Sequence, residues 1–334
     1  MSKPQRGSTI ALYQSKWSVY QDWCGKNRVH PVFPTIPQLT NFFYHLFSDK
    51  KFAVTSIKGY KAAIATTLKA TGSWNDRWED DCIALFKSML LQRPRSLQVT
   101  PKWDLSIVLH SLMKHPYEPM AHCDLKRLTL KTVFLLAVAT AQRRSELHAL
   151  SLKKVLFSEA GASLGTMPNF MAKNQRQSTT SPPVVIPSLS RTVSGDLPDR
   201  TLCPVRALKF YIDRTKSPSF RQGRERLFVS YKEGHTGDIA AATISRWIVE
   251  TIRTSYCLVR DSSDLRRLHS ITAHEVRALA TSWSQYRGVA LAEVLAAGRW
   301  KHASTFSSFY LRDCTSLVDG MQQIGPIVAA QHVI

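Results

Sequence analysis

The sequence predicts a mainly α-helical protein of two domains, with a small antiparallel β-sheet in the second domain. Three observations lead to this fold class. Residues 10–91 show apolar side chains at helical spacing in four successive segments. Residues 91–105 lose that periodicity and bring two prolines and three basic residues, which is typical of a linker. Residues 152–188 change again, to short apolar runs separated by glycines, which is typical of strands and turns.

Four helices are predicted in the first domain, residues 1–95. The first helix has an aromatic face, which consists of Tyr13, Trp17, Tyr20 and Cys24. Thr35 and Pro37 have the residue types of a helix cap and a first-turn residue, so they indicate the start of the second helix. Gly72 is suited to end the third helix. The fourth helix is expected over residues 76–91.

The second domain, residues 96–334, is predicted to combine helices with the sheet. The same periodicity predicts six helices, at 102–114, 124–141, 203–215, 240–256, 273–286 and 289–297. The sheet lies between the second and the third of these helices.

The net charge is the strongest compositional signal. The chain has 45 Lys and Arg against 24 Asp and Glu, which gives +21 at pH 7. The basic residues are spread over the whole chain, and a folded protein with this balance most often binds a polyanion. Nucleic acid is therefore favoured over an acidic protein or a membrane surface. Lys58, Lys61 and Lys69 share one face of the third helix, where a solvated face and a phosphate-binding face are both open alternatives.

Several other classes of protein are disfavoured. The longest apolar run, Thr132 to Ala141, is too short for a membrane span, and the amino-terminal segment lacks the apolar region of a secretory signal. The six cysteines form no C-x-x-C pair and no metal-ligand spacing with histidine. We therefore expect reduced thiols and an intracellular protein that is not secreted, with no cofactor, no metal and no small-molecule substrate.

Three short segments of the second domain carry the residues that could perform chemistry. "TAQRRSEL" places Arg143 just after an apolar helix, and "HEVR" places His274 and Arg277 three residues apart on one helix face. "GRWKHASTFSSFY" contains Trp300 and Tyr310. Taken singly, these segments also fit a surface arginine pair, a salt-bridged arginine beside a hydrogen-bonded histidine, and core aromatic residues.

The order of the three segments resembles that of the tyrosine recombinases, the superfamily of the phage integrases, Cre and the Xer proteins. "TAQRRSEL" resembles the first-arginine box T-G-x-R-x-S-E-L, "HEVR" resembles the H-x-x-R box, and "GRWKHASTFSSFY" resembles the final box with the nucleophile. The resemblance implies that Arg143, His274 and Arg277 are catalytic and that Tyr310 is the nucleophile. Tyr256 and Tyr286 are rival nucleophiles that lack the surrounding motif.

The same resemblance implies roles for further residues. The family's general acid is a lysine on a hairpin between the first two boxes, and Lys173 is the only lysine of residues 164–187. The family usually has His or Trp nine residues before the nucleophile, whereas Trp300 lies at ten and His302 at eight. The resemblance favours Trp300, with His302 as the alternative. Glu146 would be a buried structural partner.

The resemblance covers nearly the whole chain and implies a function. Residues 1–95 resemble the helical core-binding domain, and residues 96–334 resemble the catalytic domain. The implied activity is site-specific, metal-independent cleavage and rejoining of double-stranded DNA through a 3′-phosphotyrosyl bond, by a homotetramer on DNA. Two arginines suit this chemistry because a guanidinium group can hold phosphate oxygens in bidentate fashion. The apolar tail after Tyr310 would dock on a neighbouring protomer or complete its own core.

A nearer resemblance is to the recombinases of DIRS-type retroelements, through "RRSELHAL", "CPVRALKFYIDRT" and "TFSSFYLRD". For such an element a nuclear location is expected, and otherwise a cytoplasmic one. Two other activities remain as alternatives. These are a retroelement-derived DNA-binding protein without catalysis and a nicking and resealing enzyme like the type IB topoisomerases. A basic helical protein of neither kind is the third alternative.

Overall fold

The computed structural model describes residues 7–94, 101–173, 182–189, 200–259, 268 and 270–314. The chain divides into two compact units, Met1–Ser96 and Leu97–Ile334. The predicted fold class, mainly α with a small antiparallel sheet, is confirmed. Among the helices of the described ranges, none is long and apolar enough to cross a membrane.

The described part of the first unit is helical. Its helices are α1 (Gly7–Asn27), α2 (Ile36–Ser48), α3 (Val54–Ala70) and α4 (Trp78–Gln92). Their apolar faces meet in one core around Tyr20, Phe42 and Phe86. The predicted helix boundaries at Thr35 and Gly72 are confirmed. The backbone N–H of Thr35 donates to the side chain of the third helical residue at 2.8 Å, and Gly72 takes a φ of 74°, which favours glycine.

The lysine face of α3 is partly ion-paired. Lys61 pairs with Glu79, and the Lys69 ammonium lies 3.4 Å from a carboxylate oxygen of Asp76. The ammonium of Lys58 instead lies 5.9 Å from the centre of the Phe86 ring. Both alternatives for this face, a solvated one and a phosphate-binding one, stay predictions.

The predicted linker, residues 91–105, includes residues at both ends that belong to packed units in the structure. At the amino-terminal end, α4 continues to Gln92, and the Arg93 guanidinium donates to the carbonyl oxygens of Phe47 at 2.6 Å and Lys51 at 3.0 Å. At the other end, Trp103 is buried in the core of the second unit. Both ends therefore belong to packed units, and residues 95–100 lie outside the described residues.

The second unit contains the sheet and the remaining helices. In chain order the elements are α5 (Leu105–Leu112), α6 (Leu125–Thr140), α7 (Arg144–His148), β1 (Leu150–Phe157), β2 (Gly161–Thr166), β3 (Val184–Pro187), α8 (Pro204–Arg214), α9 (Pro218–Arg221), α10 (Ala241–Val259), α11 (Ala273–Tyr286), α12 (Leu291–Ala297) and α13 (Ala303–Phe309). Helix α6 is buried on most of its surface and packs against α8 and α10. The sequence did not predict α7, α9 and α13, because helices of one or two turns show too little periodicity.

The sheet is antiparallel, in the order β1-β2-β3. Leu164 of β2 pairs with Val155 on one side and with Val184 on the other. The predicted hairpin over residues 164–187 therefore has paired arms, while residues 174–181 lie outside the described residues.

Candidate active site

Arg143 lies where α6 ends and α7 begins. Helix α6 stops at Ala141, which takes a left-handed conformation with φ 48°, and the chain then turns sharply. The backbone N–H of Arg143 donates to Glu146 Oε2 at 2.7 Å, and its guanidinium lies 3.4 Å from Glu146 Oε1. A glutamate at the third helical position commonly satisfies the first N–H in this way. One residue thus fixes both the backbone and the side chain of Arg143.

His274 and Arg277 lie on the first turns of α11. Thr272 caps the helix, whose first residue is Ala273. The N–H of Thr272 donates to Glu275 Oε2 at 3.1 Å. Arg277 is only 2% exposed. Its guanidinium donates to the carbonyl oxygen of Gly298, at the end of α12. The helix therefore carries Arg277 into the interior and leaves His274 at the surface.

Glu146 is the centre of a cluster of guanidinium groups. It is 2% exposed, and its oxygens lie 3.7 Å from Arg277 and 3.8 Å from Arg299, in addition to Arg143. The prediction that Glu146 is a buried partner is confirmed. Burial and the charge of Arg143 lower the pKa of Arg277 to about 10, so it stays protonated at pH 7. Three cations thus share one anion, and the cluster is net positive.

Tyr310 lies against a histidine, an arginine and an indole. Its ring centre is 5.0 Å from that of His274 and 4.3 Å from that of Trp300. The Arg277 guanidinium carbon lies 5.3 Å from the same ring centre. The residue is 8% exposed and ends α13, where its N–H donates to Phe306 O at 2.8 Å. The structure therefore brings four of the predicted site residues into contact, namely Tyr310, His274, Trp300 and Arg277.

Trp300 and His302 have different surroundings. Trp300 is buried, and the Arg277 guanidinium carbon lies 4.6 Å from its ring centre. Its indole N–H is buried and has no hydrogen-bond partner among the described residues. His302 is exposed and precedes the first residue of α13. Of the two candidates, Trp300 is therefore the one that lies beside Tyr310.

Lys173 is exposed and is the last described residue before 174–181. Its charge is one of those that affect His274. Lys173 therefore lies within electrostatic reach of the cluster around Tyr310. Among the described residues, no group of three or more His, Cys, Asp or Glu side chains is arranged to hold a metal ion.

Comparison with known proteins connects this cluster to a fold. No family model and no curated protein sequence matches the chain. A lambda integrase tetramer bound to a Holliday junction matches with a TM-score of 0.52 and 14% identity, over 93% of this chain and 73% of that one. XerH recombinase bound to palindromic difH matches with a TM-score of 0.55 and 14% identity, over 94% of this chain and 78% of that one. The Tn1549 transposon integrase with circular intermediate DNA matches with a TM-score of 0.54 and 10% identity, over 98% of this chain and 99% of that one.

The chain has the tyrosine recombinase fold. The matches extend over nearly all of its length, so both units lie within the shared fold. The nearer resemblance to DIRS-type recombinases stays a prediction.

Within this tyrosine recombinase fold, His274 has a strongly lowered pKa. Its pKa is lowered to about 4, first by burial of the ring and then by four surrounding cations. Those cations are Arg277, Arg143, Arg312 and Lys173. The residue as a whole is exposed, but burial and charge act in the same direction. With a pKa of about 4, the imidazole is neutral at pH 7.

The lowered pKa makes a prediction about acid stability. Between pH 4 and the ordinary histidine value of about 6.5, the unfolded chain binds a proton at His274 that the folded chain does not. The free energy of unfolding therefore rises with pH across this window and falls on acidification. Between pH 7 and pH 4.5, the His274→Gln variant should lose less stability than wild type. Thermal unfolding at each pH measures the loss. An NMR titration giving a His274 pKa of 6.5 or higher would contradict this.

Gly298 allows Trp300 to pack. A Cβ on Gly298 would lie only 2.7 Å from Cδ2 of the Trp300 ring. We expect Gly298→Ala to move the indole away from Tyr310 and to cost about 1–3 kcal/mol in the free energy of unfolding, as overpacking usually does. Denaturant unfolding measures the cost. The control is Gly25→Ala, because a Cβ on Gly25 in α1 meets no atom within 4 Å. Equal stability of the two variants would refute the packing argument.

A cavity of about 830 Å³ opens beside the cluster. Arg143, His274 and Arg277 line it together with Arg246 and Arg253 of α10. Arg246 and Arg253 were not among the site residues predicted from the sequence. A signal was available, because residues seven apart lie on one helix face. Arg299 was also missed, and its contact with Glu146 depends on folding that no local pattern reveals.

The rival tyrosines lie elsewhere. The Tyr256 hydroxyl accepts a hydrogen bond from the N–H of Asp104 at 2.7 Å, within the core of the second unit. Tyr286 is exposed and contacts Trp283 edge to face, with 5.6 Å between ring centres. Tyr310 is thus the tyrosine that lies against His274 and Arg277.

Proposed function

We propose that the protein is a site-specific DNA recombinase that cleaves and rejoins DNA through a 3′-phosphotyrosyl intermediate, with Tyr310 as the nucleophile. One observation carries the proposal. The Tyr310 ring lies against a histidine, an arginine and an indole that two separate segments of the chain supply. The tyrosine recombinase fold and the net charge of +21 support it.

In the proposed step, the phenolic oxygen of Tyr310 attacks the scissile phosphorus. The bond from phosphorus to the 5′ oxygen breaks, which leaves a 3′-phosphotyrosine and a 5′-hydroxyl. The phenolic proton moves to the neutral imidazole of His274, and the leaving oxygen takes a proton from the ammonium of Lys173. Rejoining reverses each transfer, so the step consumes no other reactant.

Charge stabilisation of the phosphate is assigned to Arg143 and Arg277. Their guanidinium groups share Glu146 with Arg299, so the cluster keeps positive charge for an incoming phosphate. Fixed cations at developing negative charge are an effective form of catalysis, and this mechanism requires no metal ion. The indole N–H of Trp300, which has no hydrogen-bond partner in the described part of the chain, is a further donor for a phosphate oxygen.

We infer double-stranded DNA as the partner and a homotetramer on DNA as the working assembly. The lambda integrase neighbour, a tetramer bound to a Holliday junction, supports this inference. The Tn1549 neighbour is a transposon integrase, and we propose a role in a mobile element here as well. Residues 1–95 would be the core-binding domain. The tail at 315–334, which lies outside the described residues, would dock on a neighbouring protomer or complete its own core.

The test uses DNA that cannot be rejoined. End-labelled duplexes from candidate element termini are nicked near the scissile phosphate, so that the 5′-hydroxyl fragment is lost. The protein is incubated with them in EDTA and run on a denaturing gel. We expect a covalent protein–DNA band whose modified peptide, by mass spectrometry, carries Tyr310. Tight low-salt binding to this DNA without any covalent band, or a band on another tyrosine, would overturn the proposal.

A further inference from the structure

Ser282 is a buried hydroxyl residue on α11, the helix that carries His274 and Arg277. Its side chain lies in the interior, since the residue is only 1% exposed. Residues four apart share one face of a helix, so Ser282 lies one turn beyond Ala278, which packs in the same apolar cluster as Tyr310. This face of α11 therefore meets the segment that ends at the proposed nucleophile.

The Ser282 hydroxyl bonds differently from its neighbours in α11. Thr281 Oγ1 donates to Arg277 O at 2.8 Å, and Ser284 Oγ likewise donates to a carbonyl oxygen of α11. Serine and threonine within a helix commonly bond back to their own helix in this way. A hydroxyl has one proton to donate, and Ser282 Oγ donates it to Tyr310 O at 3.2 Å. The hydroxyl therefore serves a neighbouring segment and not its own helix.

The same oxygen of Ser282 also accepts a hydrogen bond. The N–H of Arg312 donates to it at 2.9 Å, so one hydroxyl holds the backbone on both sides of Leu311. The last carbonyl groups of a helix have no partner within that helix and need another. Tyr310 follows the last residue of α13, and Ser282 supplies the partner for its carbonyl group. Helix α11 thereby fixes the backbone immediately after the nucleophile.

Helix α13 depends on contacts of this kind for its position. It has only seven residues, and isolated helices of that length are not stable in water. In the turn after it, the Arg312 guanidinium donates to Phe309 O at 3.3 Å and to Leu311 O at 3.0 Å. Ser282 bonds this turn to α11. The distance from the phenolic oxygen of Tyr310 to the groups that α11 carries is therefore sensitive to Ser282.

We propose that Ser282 is a positioning residue that holds Tyr310 in the orientation from which its phenolic oxygen attacks the scissile phosphate. The inference rests on the proposed function and deepens it. In the step concerned, the bond from the phenolic oxygen to phosphorus forms while the bond from phosphorus to the 5′ oxygen breaks. The phenolic proton passes to His274, and the leaving oxygen takes a proton from Lys173. Ser282 exchanges no proton and acts only through the backbone of Tyr310 and Arg312.

The test compares cleavage with rejoining in single-turnover reactions. Cleavage uses the nicked DNA at saturating protein, and rejoining starts from the isolated native covalent complex, to which the 5′-hydroxyl strand is returned. We expect Ser282→Ala to cleave about tenfold to a hundredfold more slowly than wild type, because small misplacements of a reacting atom cost this much. Rejoining should stay within about threefold of wild type, since the phosphotyrosyl bond itself then holds the tyrosine at the phosphorus.

Further variants separate positioning from folding. Ser282→Cys fills the buried space with a weaker donor and acceptor, so it should show the same imbalance between cleavage and rejoining to a smaller degree. The matched control is Thr281→Val, which removes the adjacent buried hydroxyl, whose hydrogen bonds go to α11 itself. It should cleave and rejoin at wild-type rates even where it lowers the unfolding temperature. Arg277→Lys should slow both reactions, because each of them uses its contact to phosphate.

Wild-type cleavage rates in both Ser282 variants would overturn the inference, and so would equal slowing of cleavage and rejoining, or the same imbalance in Thr281→Val. Unfolding of both Ser282 variants at the assay temperature would assign the hydroxyl to stability and not to positioning. Failure of the proposed function gives a different result, in which wild type itself forms no covalent complex with the DNA.

Discussion

Tyr310→Phe is expected to bind DNA as well as wild type and to form no covalent complex with it. Phenylalanine keeps the ring, and so keeps the packing against Trp300 at 4.3 Å between ring centres and the contact with Arg277. Only the hydroxyl is lost, and in the proposed mechanism it is the nucleophile. Covalent cleavage should therefore fall below detection while the unfolding temperature changes little.

The matched control for this prediction is Tyr286→Phe. Tyr286 is 45% exposed and lies outside the cluster, so the same chemical change there should leave cleavage at the wild-type rate. Denaturing gels measure covalent complex, and a filter-binding titration at fixed salt measures affinity. Persistent covalent complex in Tyr310→Phe would remove Tyr310 from the mechanism.

Glu146→Ala is expected to be the most destabilising substitution in the site. It removes the carboxylate that Arg143, Arg277 and Arg299 share, and leaves the buried Arg277 facing two half-buried guanidinium groups of the same charge. Loss of one partner from a buried ion pair commonly costs about 3–5 kcal/mol in the free energy of unfolding. Urea unfolding should show a loss of this size, together with weaker cleavage.

Added anions should reduce that loss. DNA or sulfate can place negative charge among the three guanidinium groups, so either one should stabilise Glu146→Ala more than wild type. Glu146→Gln serves as the control, because it keeps an acceptor for the N–H of Arg143 and removes only the charge. If Glu146→Ala unfolds at the same urea concentration as wild type, the arginine cluster does not depend on this carboxylate.

Local patterns predicted a large share of the fold. Helix α11 was predicted with its observed bounds, Ala273–Tyr286, because its apolar residues keep one face over several turns. Gly72 ends α3 because one residue type fits that conformation. The short helix α13 was missed, since its two turns carry too little pattern. The linker ends were misjudged because Arg93 and Trp103 are held by contacts distant in sequence.

The candidate site was predictable as a set of residues but not as an arrangement. Motif order suggested His274, Arg277 and Tyr310, and the structure places them together. The choice between Trp300 and His302 depended on the turn at Gly298, where the missing Cβ admits the indole. The hydrogen bond from Arg299 to the carbonyl oxygen of Pro182 spans 117 residues, and spacing alone cannot reveal a contact of that kind.

The contacts around Tyr310 have a consequence for mixed assemblies. Tyr310, His274, Arg143 and Arg277 come together within one chain. If subunits of the proposed homotetramer keep these contacts, a subunit that lacks the nucleophile does not obtain one from a subunit that lacks an arginine. Mixing Tyr310→Phe with Arg277→Lys protein should restore no cleavage, and in mixtures with wild type the cleaved strands should number no more than the wild-type subunits bound.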